Sequence, residues 1–157
     1  RNAYIPVIAK VHGACFTGAL ELALHCDFIY TTDTTKFGDT HTRFGLRPTW
    51  GMSQTLAQAI GVRKAKELSY TARVFKGDEA LRLGLANDSV AGDEELDELV
   101  ATRVAQIANN SRAAVAAMKD LYRLSQQGES MEEALVKELG TEYGDILDTA
   151  ERLAAFR

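Results

Sequence analysis

Apolar positions form short blocks in the first half of the sequence and longer helical repeats in the second half. Residues 7–11 form an apolar run that predicts a buried strand, and residues 28–32, rich in aromatic and β-branched side chains, predict another. Residues 18–26 between them are apolar on nearly every side. Alternation alone would also fit a strand there, but the initial glycine and the following Asp27 favour a short buried helix. The order strand, helix, strand predicts a layered α/β core.

The middle of the chain alternates turn-forming residues with short helical patterns. The predicted elements are an extended piece at 36–37, a loop over 38–54, helices over 53–60 and 62–72, a helix over 79–83 and an edge strand within 85–90. Gly61 separates the first two helices. Asp78 has the side chain of a good N-cap for the third helix, and Gly84 is suited to the position that ends it.

From residue 93 onward the pattern is purely helical. Apolar residues recur at three- and four-residue spacing at Leu96, Leu99, Val100, Val104 and Ile107. Ser111 is placed to cap the next helix, Ser130 and Glu133 resemble a capping box, and a last helix is predicted from Asp148 or Thr149. We therefore divide the chain into an α/β part, residues 1–92, and a helical part, residues 93–157. The apolar stripes of residues 96–124 predict core or subunit interface.

Composition excludes several classes of function. The 157 residues are 46% hydrophobic and 25% charged, as expected for a globular domain or part of one. A net charge of −4 without clustered basic residues argues against nucleic-acid binding, and no apolar run approaches the ~18 residues of a membrane span. Cys15, Cys26 and the three scattered histidines lack metal-ligand spacing, which predicts no metal and reduced thiols in the cytosol or an organelle matrix. Of the two, a cytoplasmic location is the expectation.

The strongest chemical signal is a carboxylate inside the first apolar helix. Gly18 opens this helix, and a helix start offers free N–H groups and the positive end of the dipole, which suit a developing oxyanion. Glu21 follows three residues later in apolar surroundings, where a carboxyl group can serve as an acid or base. Together they suit proton transfer beside a carbonyl group. The less specific interpretation of Glu21 is a helix-start charge satisfied by local amides.

Several motifs of the sequence, in order, resemble the crotonase (enoyl-CoA hydratase/isomerase) family. The matching segments are Ile5-Pro-Val-Ile-Ala-Lys-Val-His-Gly13, Gly18-Ala-Leu-Glu-Leu-Ala-Leu-His-Cys-Asp27, Lys36-Phe-Gly38, Phe44-Gly-Leu-Arg-Pro48, Gly61-Val-Arg-Lys-Ala65, Ala80-Leu-Arg-Leu-Gly-Leu85, Ile107-Ala-Asn-Asn-Ser111 and Asp148-Thr-Ala-Glu-Arg-Leu-Ala-Ala-Phe156. The resemblance implies an α/β fold of the crotonase type, a spiral core of ββα repeats followed by a C-terminal helical trimerisation region. It also implies that the chain is the C-terminal portion of the usual core, without the part that carries the first oxyanion N–H.

The same resemblance implies which residues act. The family binds acyl-CoA thioesters, needs no further cofactor, and stabilises an enolate with two backbone N–H groups. Gly18 matches the donor of the second N–H, and Glu21 matches the first of the two glutamates of family hydratases. The second glutamate falls at His41, within Asp39-Thr-His-Thr-Arg43, where hydratases usually carry Pro-Glu. One carboxylate of the pair is thus replaced by an imidazole, which exists in either protonation state near neutrality.

A second departure lies in the loop that follows. The family's Pro-Gly-Ala-Gly-Gly reads Pro48-Thr-Trp-Gly-Met52 here, so Thr49, Trp50, Gly51 and Met52 are expected to form a reshaped substrate pocket. The backbone amides of this loop should still orient Glu21, because they depend on the fold and not on the side chains. Phe156 matches a family position near the coenzyme A adenine of a neighbouring subunit. A homotrimer or hexamer is implied.

The main prediction is therefore hydration of a 2-enoyl-CoA. A single carboxylate suffices for a 1,3-proton shift, so an isomerase is an alternative, as are the hydrolases and decarboxylases of the family. Outside enzymology, the chain could be a weakly catalytic acyl-CoA-binding protein. His41 could equally be a solvated or packed loop histidine. Asp39 could replace the lost acid, but a capping or solvent-facing role is the expectation. His12, His25 and both cysteines are interpreted as packing residues.

Overall fold

The computed structural model describes residues 3–125 and 130–155. They form two compact units. The first comprises Val7–Thr102, and the second comprises the described residues of Asn2–Pro6 and Arg103–Arg157. Glu21, His41 and the loop that contains Trp50 all belong to the first unit, so its architecture determines the geometry of the candidate site.

Two consecutive ββα units form the core of the first compact unit. The first contains β1 (Ile8–Val11), β2 (Ala14–Phe16) and α1 (Gly18–Leu24). The second contains β3 (Phe28–Thr32), β4 (Lys36–Gly38), a 3₁₀ turn (Thr42–Phe44) and α2 (Met52–Ile60). The predicted strands over 7–11, 28–32 and 36–37 are confirmed, and residues 18–24 are helical as expected.

The strands of the two ββα units pair with each other in parallel and build two sheets. One sheet has the order β1-β3-β6, with Ile8 opposite Phe28 and all neighbours parallel. The other has the order β2-β4-β5, with Cys15 opposite Phe37 in a parallel pair and β4 antiparallel to β5 (Phe75–Lys76). Because each unit contributes one strand to each sheet, the chain advances as a spiral. The predicted edge strand within 85–90 is β6 (Asp88–Val90).

Helices α3 (Val62–Thr71) and α4 (Gly77–Leu83) complete the packing around these sheets. A Cβ placed on Gly77 would lie 2.0 Å from the carbonyl oxygen of Thr32, so only glycine lets α4 begin this close to β3. The largest fully buried apolar side chains of this unit are Phe37, Leu20, Met52, Leu56, Leu68 and Leu96.

After β6 the chain is helical, with α5 (Asp93–Ala108), α6 (Arg112–Ser125), α7 (Met131–Gly140) and α8 (Thr149–Ala155). The two caps predicted for this helical part are confirmed. The Ser111 hydroxyl accepts a hydrogen bond from the Ala114 N–H at 3.4 Å, and Ser130 forms a full capping box with Glu133.

The sequence pattern missed two strands, and two local predictions are wrong. The sequence did not indicate β2 and β5, which are three and two residues long and are stabilised by pairing with β4. Asp78 is not an N-cap, because α4 begins at Gly77 and the Asp78 carboxylate instead accepts from Arg82 one turn later, at 2.9 Å. His12 is not a packing residue, since its side chain is 59% exposed.

Candidate active site

The site begins at the turn between β2 and α1. Thr17 has a positive φ of 49°, which is unusual for a β-branched residue. Its N–H donates to the Gly38 carbonyl at 3.0 Å, and its hydroxyl lies 2.5 Å from the Thr40 hydroxyl. The Gly18 N–H that follows has no acceptor within residues 3–125 and 130–155. This N–H is therefore an available donor at the start of α1.

Glu21 lies in the first turn of α1 and is 3% exposed. Its Oε1 accepts hydrogen bonds from two backbone groups of the 48–52 loop, the Trp50 N–H at 3.1 Å and the Met52 N–H at 3.2 Å. The expectation that this loop's amides orient Glu21 is thereby confirmed. The carboxylate is fixed through one oxygen, which leaves Oε2 on its other side.

Two further contacts fix the loop itself. The His25 Nε2 lies 2.7 Å from the Trp50 carbonyl oxygen and donates a hydrogen bond to it. His25 therefore holds the loop of the site in place and is not only a packing residue. The Met52 side chain is fully buried in the apolar core. The amides that bind Glu21 thus depend on one histidine and one core methionine for their position.

His41 faces Glu21 across the site. It is 7% exposed, and its Nε2 lies 3.9 Å from Glu21 Oε2, too far for a hydrogen bond and near enough to share one bound molecule. The opposite nitrogen, Nδ1, lies 2.7 Å from Asp39 Oδ1. His41 is therefore a buried histidine next to the candidate carboxylate, and the interpretation as a solvated loop residue is wrong.

Asp39 is not solvent-facing either. It is 3% exposed, and its Oδ2 accepts a hydrogen bond from the Ser69 hydroxyl at 2.6 Å. Sequence reasoning did not consider Ser69 at all, because it lies on α3, 30 residues away. A signal was present in the Asp-x-His spacing, which lets a carboxylate reach the imidazole two residues later.

The four expected pocket residues differ in their exposure to solvent. Thr49 and Trp50 are exposed, Trp50 by 63%, whereas Met52 points into the core. Gly51 has a φ of 101°, and the chain turns there into α2. The Trp50 ring lies beside Gly18, 3.5 Å from where a Cβ on that glycine would be. Phe156, the expected coenzyme A contact, lies outside the described residues.

The buried thiol of Cys15 is not a candidate nucleophile. Burial raises the pKa of the Cys15 thiol to about 11, so Cys15 is protonated near neutrality and unsuited to nucleophilic attack. Within the described ranges there is no group of three or more His, Cys, Asp or Glu side chains that could hold a metal ion. In the same part of the chain, no helix has both the length and the hydropathy to cross a bilayer.

The arrangement suits a defined kind of chemistry. One backbone N–H is available to a developing negative charge, and a buried carboxylate and imidazole stand 3.9 Å apart. An anion-stabilising donor next to two proton-transferring groups is the set needed to form and quench an enolate.

Comparison with known proteins points to the same chemistry. The chain matches the enoyl-CoA hydratase/isomerase family profile over residues 1–152. It is 36% identical over 155 residues to a probable enoyl-CoA hydratase of Mycobacterium leprae, covering 96% of this chain and 59% of that protein. The enoyl-CoA hydratase subunit I structure from Geobacillus kaustophilus superimposes with a TM-score of 0.87 at 28% identity, over 99% of this chain and 60% of that one.

A third relative was solved with a ligand. It is a proposed enoyl-CoA hydratase from Thermobifida fusca in complex with acetoacetyl-CoA, with a TM-score of 0.77, 33% identity and coverage of 94% of this chain and 55% of that one. The chain spans between 34% and 59% of the length of four curated relatives that it matches.

Proposed function

The chain belongs to the enoyl-CoA hydratase/isomerase family, and from that premise we propose that the protein it forms hydrates a 2-enoyl-CoA thioester. The observation that carries the proposal is the buried Glu21 carboxylate, fixed by two backbone amides with its free oxygen facing His41. The solved relative with bound acetoacetyl-CoA supports a coenzyme A thioester as the substrate class. The proposed reaction uses no cofactor, and the coenzyme A thioester is its substrate.

The first step is enolate formation. The thioester oxygen accepts a hydrogen bond from the Gly18 N–H, which stabilises the charge that develops there. A water oxygen attacks Cβ of the enoyl group, and the C=C electron pair moves to form the enolate. The water proton passes to His41 Nε2. Removal of one such oxyanion donor typically costs ~10²–10³ in rate, so the Gly18 N–H is a main contributor.

The second step delivers a proton to carbon. The Glu21 carboxyl group gives its proton to Cα, the enolate returns to a thioester, and the product is a 3-hydroxyacyl-CoA. The site is then left with an imidazolium and a carboxylate. Proton transfer from His41 to Glu21 through the next bound water resets both groups across their 3.9 Å separation. Protons and electrons balance without a further reactant.

The test is hydration of crotonyl-CoA, followed as loss of the enoyl absorbance. Glu21→Gln keeps the shape and removes the exchangeable proton, so kcat should fall by ~10²–10⁴. Glu67→Gln is the matched control, because Glu67 is a surface glutamate whose side chain is 45% exposed. Normal turnover by Glu21→Gln would show that the acid/base assignment is wrong.

Isomerisation of a 3-enoyl-CoA is the second candidate. It is favoured by the placement of Glu21, whose Oε1 takes both amide hydrogen bonds while Oε2 is left to remove and return a proton. A 1,3-proton shift needs this carboxylate alone. His41→Ala should therefore lower the hydration rate by ~10²–10⁴ but spare isomerisation, and a variant that loses both rates equally argues against the isomerase. Tight acyl-CoA binding with no turnover of either substrate would instead favour a binding protein.

The assembly is proposed on separate grounds. Large apolar side chains of the helical part are strongly exposed, among them Met131 (76%), Val136 (65%), Leu139 (86%) and Leu147 (86%). Exposed apolar surface of this kind marks protein contacts, which supports residues 93–157 as the oligomerisation region of a homotrimer or hexamer. Sedimentation equilibrium measures the subunit number directly. The coenzyme A contact of Phe156 and a cytoplasmic location stay predictions.

A further inference from the structure

We propose that Asp39, oriented by Ser69, is a positioning residue that keeps the His41 proton on Nδ1 and thereby presents the Nε2 lone pair to the reacting water. The role of His41 in turnover rests on the proposed function. The tautomer itself does not, because it follows from contacts within the protein. Both parts can be tested separately.

The contacts of Asp39 leave one arrangement of hydrogens. Its Oδ2 accepts from the Ser69 hydroxyl at 2.6 Å, and its Oδ1 lies 2.7 Å from His41 Nδ1 and 3.3 Å from the His41 backbone N–H. A carboxylate only accepts hydrogen bonds, so Nδ1 must carry its hydrogen to make this contact. The neutral imidazole then has its lone pair on Nε2, on the side of Glu21.

The neighbouring residues hold the imidazole in this direction. The Thr42 hydroxyl donates to the Ser69 carbonyl at 2.6 Å, and the Arg43 guanidinium donates to the Ala72 carbonyl at 2.8 Å. Both bonds tie the 3₁₀ turn after His41 to α3 and the residue that follows it. Ser69 stands on this same helix, so the carboxylate and the imidazole are positioned from one support.

This placement gives Asp39 a positioning role and excludes it as a substitute acid. It is 3% exposed, and both of its oxygens are engaged by protein groups. When Nε2 takes the proton of the attacking water, the Nδ1 hydrogen stays on the ring and the carboxylate stabilises the imidazolium. A buried carboxylate behind a catalytic histidine is known to act in this way, by fixing the tautomer and the charged form.

Asp39→Ala is the decisive variant, because it removes the carboxylate that accepts the Nδ1 hydrogen. Without that acceptor the Nδ1–H form loses its stabilisation, and the imidazole can carry its hydrogen on Nε2, where no lone pair is then left for the water. Hydration kcat should fall by ~10²–10⁴ while KM for crotonyl-CoA changes less than about threefold.

The spectroscopic readout is the tautomer of His41 in ¹⁵N-histidine-labelled protein, measured by long-range ¹H–¹⁵N correlation. We expect the Nδ1–H form in the unmodified protein and a switch towards the Nε2–H form in Asp39→Ala. Ser69→Ala alone should lower kcat by less than about tenfold.

The outcomes separate the two proposals. An Nε2–H signal in the unmodified protein, or an unchanged tautomer in Asp39→Ala, overturns the positioning role. The expected tautomer switch with no crotonyl-CoA turnover in the unmodified protein supports the positioning role and overturns the proposed function. A switch accompanied by unchanged hydration kcat overturns the claim that the Nε2 lone pair serves the reaction.

Discussion

Glu21 and His41 are both buried, but the protein positions them with different kinds of group. Glu21 is bound by two backbone amides, which every non-proline residue at positions 50 and 52 would supply. His41 is bound by the side chains of Asp39 and, behind it, Ser69. The hydrogen-bond donors to Glu21 are therefore independent of side-chain identity, and side chains such as His25 and Met52 act only indirectly, by holding the loop in place. The imidazole half of the site depends on particular side chains.

The largest loss of catalytic rate is expected when His41 is replaced, because this residue transfers protons and is also held by particular side chains. His41→Ala should lower the kcat of crotonyl-CoA hydration by ~10²–10⁴, about as much as Glu21→Gln. His41→Glu restores a pair of carboxylates but places one of them against Asp39. If His41→Glu hydrates much faster than the unmodified protein, the natural histidine serves a reaction other than hydration. Steady-state kinetics at one pH suffices for all three variants.

The loop whose amides bind Glu21 is held in place by core packing of the Met52 side chain. Its side chain is fully buried, so Met52→Ala should lower the free energy of unfolding by about 2–5 kcal/mol. Gln58→Ala, on the exposed face of the same helix, should change it by less than about 0.5 kcal/mol. Urea unfolding measures both. Equal stabilities of the two variants would contradict the core position of Met52.

Backbone strain at the turn before Gly18 gives a smaller effect. Both Thr17→Gly and Thr17→Ala remove the hydroxyl that meets Thr40, so their difference isolates the cost of a Cβ at a φ of 49°. Thr17→Gly should be the more stable of the two by about 1–2 kcal/mol. Thermal unfolding of the pair measures this difference. An alanine variant as stable as the glycine variant would mean that the turn is not strained.

The smallest effect on stability is expected for an ion pair near the surface. The Arg73 guanidinium binds Glu79 at 2.5 and 3.2 Å and holds the pKa of that carboxyl group below its usual range. A lowered pKa in the folded state contributes stability at neutral pH that is lost as the pH falls through it. Glu79→Gln should therefore cost under about 1 kcal/mol at pH 7 and nothing near pH 2. Unfolding at both pH values tests the sign.

Local pattern predicted most elements of the first compact unit. Three elements depend on residues that are neighbours in the sequence, and each is present: the apolar run at 7–11, the β-branched run at 28–32 and the helix that begins at a glycine. Strands β2 and β5 could not be predicted in this way. They are two or three residues long, and the partner strand β4 alone makes them strands.

The candidate site likewise combines features that neighbouring residues indicate with features that only the fold creates. Gly18 and Glu21 lie in one helix turn, so their spacing alone indicated the chemistry. The burial of Asp39 depends on Ser69, which the fold brings to it from another helix. A carboxylate two residues before a histidine is compatible with a cap, an exposed loop or a buried pair. Only the three-dimensional arrangement selects the last.

The chain contains one tryptophan, and it is Trp50. Its indole covers the glycine at the start of α1, while its backbone N–H and carbonyl bind Glu21 and His25. Tryptophan emission from this chain therefore originates beside the proposed thioester position. An arriving ligand changes the surroundings of that indole, so occupancy can be titrated optically without a label, even in variants that no longer turn over substrate.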